Sequence, residues 1–107
     1  MEKIKVYRYE IVLSAPIGDK KGFFTVDIIQ DKIEGSLIIM SNKNYFCGTI
    51  KSNGSCEISG YIKTLTGIVD YHGSGYLDEE NLTLVLNTGN RKLIVSGKAL
   101  SKGGSRV

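Results

Sequence analysis

The segment IEGSL at Ile33–Leu37 recurs as FCGTI at Phe46–Ile50 and as ISGYI at Ile58–Ile62. Looser copies follow at Gly73–Leu77 and Val95–Ala99. Because side chains alternate along a strand, each copy places a glycine on the same side as two flanking, mostly apolar residues. Glycine weakens a strand interior, so its repetition indicates places where a strand bends or another backbone comes close. The repeat therefore predicts an all-β fold built from coiled strands.

Alternation with a period of two residues extends along nearly the whole chain, and helical periodicity is nearly absent. It predicts eight strands, at residues 4–13, 22–29, 33–41, 44–51, 56–64, 67–77, 82–88 and 91–99. Short turn segments separate most of them, so neighbouring strands should pair as hairpins. Closing such a meander removes its two exposed edges. The sequence thus predicts an eight-stranded antiparallel up-and-down barrel, with one domain over residues 1–100 and a flexible tail over residues 101–107.

The hairpins also predict which residues oppose one another, since directly opposed residues must share a face of the sheet. The predicted pairs are Ile28 with Ile33, Ile39 with Phe46, Gly48 with Gly60, Lys51 with Glu57, Ile62 with Val69, Leu77 with Leu82, and Leu86 with Leu93. In this register the inward side of each strand after the first is apolar or glycine. The first strand has an ambiguous face.

Composition and charge limit the kinds of binding partner that are expected for this protein. The formal net charge is +3, and the segment 91–107 holds five of the 14 basic residues and no acidic one. Nucleic-acid binders usually combine basic residues with aromatic ones, but no aromatic residue follows Tyr76, so no nucleic-acid partner is expected. The start of the chain lacks the apolar core of a signal peptide, and no stretch approaches the roughly 18 apolar residues of a membrane span. We therefore expect a cytoplasmic protein without a membrane partner.

Three residues resemble a catalytic triad in type: Asp70, His72 and Ser74. They occupy alternate positions of one strand, so adjacent members lie about 6.5–7 Å apart along it. A triad needs contacts of about 2.6–3.2 Å. The register also points all three outward into water. His72 is the one histidine and shares no metal-ligand spacing with the two cysteines. We therefore expect no enzyme, no metal and no cofactor.

With its strand count and central glycines, the chain resembles the calycin-like meander barrels, which include streptavidin-like, lipocalin-like and fatty-acid-binding proteins. It is also similar to small bacterial β-barrel proteins of unknown function that repeat glycine-centred strands. The resemblance covers about residues 4–99 and lies in the pattern. It implies a barrel with an apolar cavity. The chain has no tryptophan, which lipocalins carry in a Gly-x-Trp motif and streptavidin-like proteins use around biotin, so no binding residue transfers.

The predicted function is that of a non-catalytic barrel that binds a small hydrophobic ligand. Tyr71 would be its polar handle in the interior, and the apolar lining would include Phe24, Phe46, Ile58 and Leu84. Tyr7 and Tyr9 would add further hydroxyls if the first strand turned them inward. An enzyme would instead need Arg8 and Glu10 to face inward.

The alternative function is a structural or interaction module that forms homo-oligomers through the outer face of the barrel. Ile38, Met40, Tyr45 and Tyr61 are apolar residues on the predicted outward side of consecutive strands. A merged apolar patch of this kind marks a protein–protein contact.

Overall fold

A computed structural model describes residues 4–15, 18–64, 66–89 and 91–100 of the chain. The strands are β1 (Ile4–Ala15), β2 (Gly18–Ile29), β3 (Lys32–Ile39), β4 (Asn42–Ile50), β5 (Ser55–Thr64), β6 (Gly67–Leu77), β7 (Asn81–Asn87) and β8 (Lys92–Ala99). Each strand pairs antiparallel with the next, and β8 returns to pair with β1. The fold is a closed eight-stranded up-and-down barrel, which confirms the predicted class.

The first hairpin is longer than the sequence predicted. β1 and β2 remain paired out to Ala15 and Gly18, where the alternation had ended at residues 13 and 22. Pro16, Ile17 and the predicted tail at residues 101–107 lie outside the described residues. The ambiguity of β1 is also settled, because Tyr9 is buried in the core whereas Arg8 and Glu10 are exposed.

The core fills the barrel with apolar side chains from every strand. Its buried members are Tyr9, Ile11, Leu13, Phe24, Val26, Ile33, Leu37, Ile39, Phe46, Cys56, Ile58, Ile62, Tyr71, Leu77, Leu82, Leu84, Leu86 and Val95. The rings of Phe24 and Phe46 stack with centroids 4.7 Å apart, and Tyr9 meets Phe24 edge-on at 6.1 Å. Full burial of one such large side chain stabilises the fold by about 1.5–3 kcal/mol.

Four of the predicted hairpin registers are confirmed. The observed pairs are Ile28 with Ile33, Ile62 with Val69, Leu77 with Leu82, and Leu86 with Leu93. The other predicted pairs are wrong. Ile39 pairs with Asn42, Gly48 with Ile58, and Glu57 with Thr49. Both corrections shift the register by an even number of residues, so the inward faces stay as predicted.

Turn geometry explains both corrections. The β3–β4 turn consists of Met40 and Ser41, whose φ angles are 54° and 67°, whereas the sequence favoured a turn at the asparagines that follow. The β4–β5 loop is Ser52–Gly54, whereas the predicted pairing of Lys51 with Glu57 needs a loop at residues 53–55. Gly54 has a φ of 94°. Lys51 N donates to Ser55 O at 2.8 Å, and this hydrogen bond closes the loop.

The central glycines of the repeat lie where neighbouring backbones come close. A Cβ atom on Gly35 would overlap the carbonyl oxygen of Thr25, and one on Gly48 would overlap that of Glu57. Backbone, rather than a flexible side chain, fills the space at both positions. The glycines therefore permit the strong coiling that a small closed barrel requires.

Candidate functional site at one barrel mouth

One end of the barrel opens into a hollow of about 440 Å³. The beginning of β1 and the turns β2–β3, β4–β5 and β6–β7 surround it. Its apolar floor consists of Tyr7, Ile28, Ile50 and Leu77. Its rim consists of Lys5, Gln30, Asp31, Lys51, Ser52, Asn53, Gly54, Tyr76, Asp78 and Glu79. We call this hollow the mouth.

The floor is apolar because the outermost inward-facing positions of four strands meet there. Tyr7 is half-buried, and its ring meets that of Tyr9 edge-on at 6.4 Å. The Tyr9 hydroxyl donates to the carbonyl oxygen of Asp78 at 2.5 Å. Burial, followed by the nearby Tyr7 and Asp78, raises the pKa of the Tyr9 phenol above its usual range. Tyr9 therefore remains a neutral donor that ties the floor to the rim.

Backbone hydrogen bonds join the rim turns to one another. Ile50 N donates to Asp31 O at 2.9 Å, and Leu77 N donates to Gly54 O at 3.0 Å. The Asp78 carboxylate accepts the amides of Glu80 and Asn81, each at 2.8 Å, and these bonds lower the pKa of Asp78. The rim is thus a preformed ring that carries charges of both signs.

The five predicted interior residues, Tyr71, Phe24, Phe46, Ile58 and Leu84, are all buried inside the barrel. Their side chains belong to the packed core, where the phenylalanine rings stack on each other. None of them lines the mouth. Their role in ligand binding therefore stays a prediction. The residues that line the mouth form a separate set.

Tyr71 lies six residues along β6 from Leu77, which is about 20 Å of strand away from the mouth. It pairs with Gly60, and its hydroxyl oxygen lies 2.9 Å from where a Cβ on that glycine would be. The hydroxyl is buried without a hydrogen-bond partner among the described residues, and burial raises its pKa above the usual range. The missing Cβ of Gly60 therefore leaves the room that the Tyr71 hydroxyl occupies.

Asn44 is a structural residue that sequence reasoning missed, because it begins the predicted strand 44–51 and the inward side of that strand was expected to be apolar or glycine. It is 0% exposed and lies in β4, near the point where the β4–β5 ladder ends at the pair Phe46–Gly60. Its Nδ2 donates to Leu37 O at 3.1 Å, and its Oδ1 accepts from Lys63 N at 2.9 Å. One amide side chain thus bridges β3, β4 and β5.

On the outer face, Asp70, His72 and Ser74 are exposed, as the register predicted. His72 instead contacts residues of β5: its Nδ1 lies 3.2 Å from Ser59 Oγ, and its Nε2 lies 3.7 Å from Glu57 Oε1. The His72 and Glu57 side chains are 60% and 67% exposed, so water surrounds the group. The correctly predicted β5–β6 register already set Ser59 opposite His72, and this was the available signal.

The cysteines differ in environment. Cys47 is exposed and Cys56 is buried, and burial raises the pKa of the Cys56 thiol to about 11. A thiol with such a pKa is inert at neutral pH. Across the described ranges, no three His, Cys, Asp or Glu side chains form a group that could hold a metal ion.

The predicted oligomer face spans β3, β4 and β5. Tyr45 is 58% exposed and Met40 is also exposed, whereas Ile38 and Tyr61 are half-buried. Lys43 Nζ lies 5.5 Å from the centre of the Tyr45 ring, a cation–π contact. The face is therefore partly apolar and carries one charged neighbour over its most exposed aromatic ring.

Comparisons with protein-family models, with curated proteins and with solved structures find no match to this chain. Within the described ranges, no helix has the length and hydropathy needed to cross a membrane.

Proposed function

We propose that the protein is a non-catalytic binding barrel that takes a small apolar molecule with one polar end at the mouth. The observation that supports this proposal is the preformed hollow of about 440 Å³ with an apolar floor and a charged rim. Binding sites for small molecules have volumes of about 300–1,000 Å³ and often lie in the mouths of β-barrels. The closed meander is also the coarse architecture of the calycin-like barrels.

The packing of the core favours the mouth over the interior as the binding position. Stacked aromatic rings fill the centre, so a guest would rest above them on Tyr7, Ile28, Ile50 and Leu77. Burial of apolar ligand surface there would contribute about 25 cal/mol per Å². The lysines and acids of the rim would orient the polar end of the guest.

Titration with the neutral apolar fluorophore N-phenyl-1-naphthylamine tests the proposal. The wild type should bind it saturably, with a rise in fluorescence. Ile50→Lys places a charge on the half-buried floor and should weaken binding at least tenfold. The matched control is Ile94→Lys on β8, whose side chain is half exposed outside the mouth; it should change binding less than twofold.

Thermal unfolding of both lysine variants shows that they are folded under the titration conditions. The proposal fails if the wild type shows no saturable binding. It also fails if folded Ile50→Lys binds as tightly as Ile94→Lys does.

A second candidate function, homo-oligomerisation through the outer face, is favoured by the exposure of Tyr45 and Met40 beside the exposed Phe23. Phe23 pairs with Ile38, so the apolar surface continues onto β2. Native mass spectrometry of protein from cells separates the two functions, because one spectrum reports both stoichiometry and bound mass. A dimer that Tyr45→Glu converts to monomer supports the second function, and a monomer at high concentration rejects it.

A further inference from the structure

The hydroxyl group of Tyr71 is a polar group inside the apolar core. Tyr71 is only 5% exposed, and its hydroxyl oxygen has no hydrogen-bond partner among the described residues. The residues next to it on β4 and β5, Tyr45, Phe46 and Gly60, are all described. About nine-tenths of buried polar groups in folded proteins bond to protein or to ordered water. The hydroxyl therefore indicates a small polar ligand.

This hydroxyl lies where β4 and β5 move apart. Their ladder ends at the pair Phe46–Gly60, although both strands continue beyond it. In the middle of the ladder, a Cβ on Gly48 would overlap the carbonyl oxygen of Glu57. At its end, a Cβ on Gly60 would lie 2.8 Å from the carbonyl oxygen of Tyr45. The two backbones are thus farther apart at Gly60.

Beyond the end of the ladder, a side chain joins the two strands. Asn44 Oδ1 accepts from Lys63 N at 2.9 Å, where a regular ladder would use a backbone carbonyl. We call the wall between this bond and the pair Phe46–Gly60 the seam. Groups other than the backbone ladder therefore already hold β4 to β5 on one side of the seam.

We propose that the seam binds one buried water molecule, held between the Tyr71 hydroxyl and the Tyr45 carbonyl oxygen. The point where a Cβ of Gly60 would lie is 2.9 Å from the hydroxyl oxygen and 2.8 Å from the carbonyl oxygen. The two oxygens therefore lie within about 6 Å of each other, a span that one water bridges with two hydrogen bonds of about 2.8 Å. Two polar partners are sufficient for a buried water.

The chemistry of the two groups matches a water better than an ion. Burial raises the pKa of Tyr71 above its usual range, so the hydroxyl keeps its proton and can donate it. The carbonyl oxygen of Tyr45 can only accept. A water accepts from the first group and donates to the second. An anion would be repelled by the carbonyl oxygen, and a hard cation would need more oxygen ligands than these two.

The inference goes beyond ligand binding at the mouth and does not depend on it. Tyr71 lies about 20 Å of strand away from the mouth. The bound water completes the barrel wall at the place where the backbone ladder between β4 and β5 stops.

Magnetic relaxation dispersion of the ¹⁷O nucleus of water, measured on the full chain, tests the inference. It counts the water molecules that stay bound for longer than the protein takes to tumble. The wild type should hold one more such water than Tyr71→Phe, which removes one of its two partners. Tyr45→Phe is the matched control, because it removes the hydroxyl of an exposed ring and keeps the backbone carbonyl. Its count should equal that of the wild type.

Thermal unfolding of the same proteins gives a second readout. Tyr71→Phe should unfold about 5 °C below Tyr45→Phe, since it removes a buried hydroxyl that has a partner. Loss of a hydroxyl that had no partner would leave Tm equal or raise it. Gly60→Ala places a methyl group between the two oxygens and should also lose one water.

Three results would overturn the inference. One is an equal number of bound waters in the wild type and in folded Tyr71→Phe; combined with a lower Tm, it would assign the hydroxyl a direct bond to the protein. Another is a Tm of Tyr71→Phe at or above that of Tyr45→Phe. The third is a Gly60→Ala protein that keeps the full number of waters, and this result counts even if Tyr71→Phe does not fold.

Discussion

Gly48→Ala is expected to lower the free energy of unfolding by about 3 kcal/mol, which corresponds to a fall in Tm of about 15 °C. The new Cβ would overlap the carbonyl oxygen of Glu57 and lie 2.8 Å from Ile58 Cα. Both atoms belong to the backbone of β5, so relief requires the two strands to move apart. Thermal and urea unfolding measure the loss.

The sign of the change in the free energy of unfolding distinguishes close approach of the strands from the usual effect of Gly→Ala. Where backbone geometry permits alanine, Gly→Ala usually stabilises a protein by about 0.4–1 kcal/mol through the unfolded state. Close approach of β4 and β5 predicts the opposite sign. Thr49→Ala, at the next and exposed position of β4, is the matched control and should cost less than about 1 kcal/mol. A Gly48→Ala protein as stable as the wild type would contradict the close approach.

Asn44→Ala should also cost about 3 kcal/mol, because it leaves the N–H of Lys63 and the C=O of Leu37 without the bonds that the amide makes, at about 1–3 kcal/mol for each buried group. These bonds hold β5 to β3 and β4 near the point where the β4–β5 ladder ends. Chemical unfolding measures the loss. Asn87→Ala, at an exposed position of β7, is the matched control and should change stability little.

Asn44→Asp separates the hydrogen bonds of this site from its volume. The carboxylate has nearly the same size but cannot donate to Leu37 O, and burial disfavours its charged form. The folded-state pKa of the new carboxyl should therefore lie above its unfolded value. Stability of the variant should then fall as pH rises above about 4, whereas the Asn44→Ala variant should show no such dependence on pH. Equal pH profiles for the two variants would contradict the assigned role.

Much of the fold was predictable because alternation with a period of two residues shows which side chains of a strand face inward. This prediction does not depend on the exact position of the turns. Alternation and a two-residue turn predict Ile62 opposite Val69, and the structure has that pair. Even where the turn was wrong, as for Ile39, the face was right because the register shifted by an even number of residues.

Alternation could not predict the exact positions of the turns. Tight hairpin turns need residues with positive φ and therefore favour Asn and Gly. The sequence accordingly predicts the turn after Ser41, where asparagines occur. The structure uses Met40 and Ser41 in left-handed conformations instead. Because of this shift, Asn44 lies two residues inside β4 and is not its first residue. Its hydrogen bonds depend on contacts between three strands that no local pattern encodes.

The candidate site was less predictable than the fold. Sequence reasoning selected interior residues such as Tyr71 because their side chains point inward. The inward direction of a side chain does not show whether a cavity remains next to it. The mouth arises where three turns and the start of β1 surround Ile28, Ile50 and Leu77, and its shape depends on the exact turn positions. Tyr7 lies there because β1 turns its odd-numbered residues inward.

Nuclear Overhauser contacts between β1 and β8 test the closed barrel most directly. Closure predicts cross-strand backbone contacts that pair Tyr9–Ser14 with Ile94–Ala99, with Ile11 facing Gly97. An absence of these contacts, in a spectrum where the other seven strand pairs are intact, would show an open sheet and contradict the barrel.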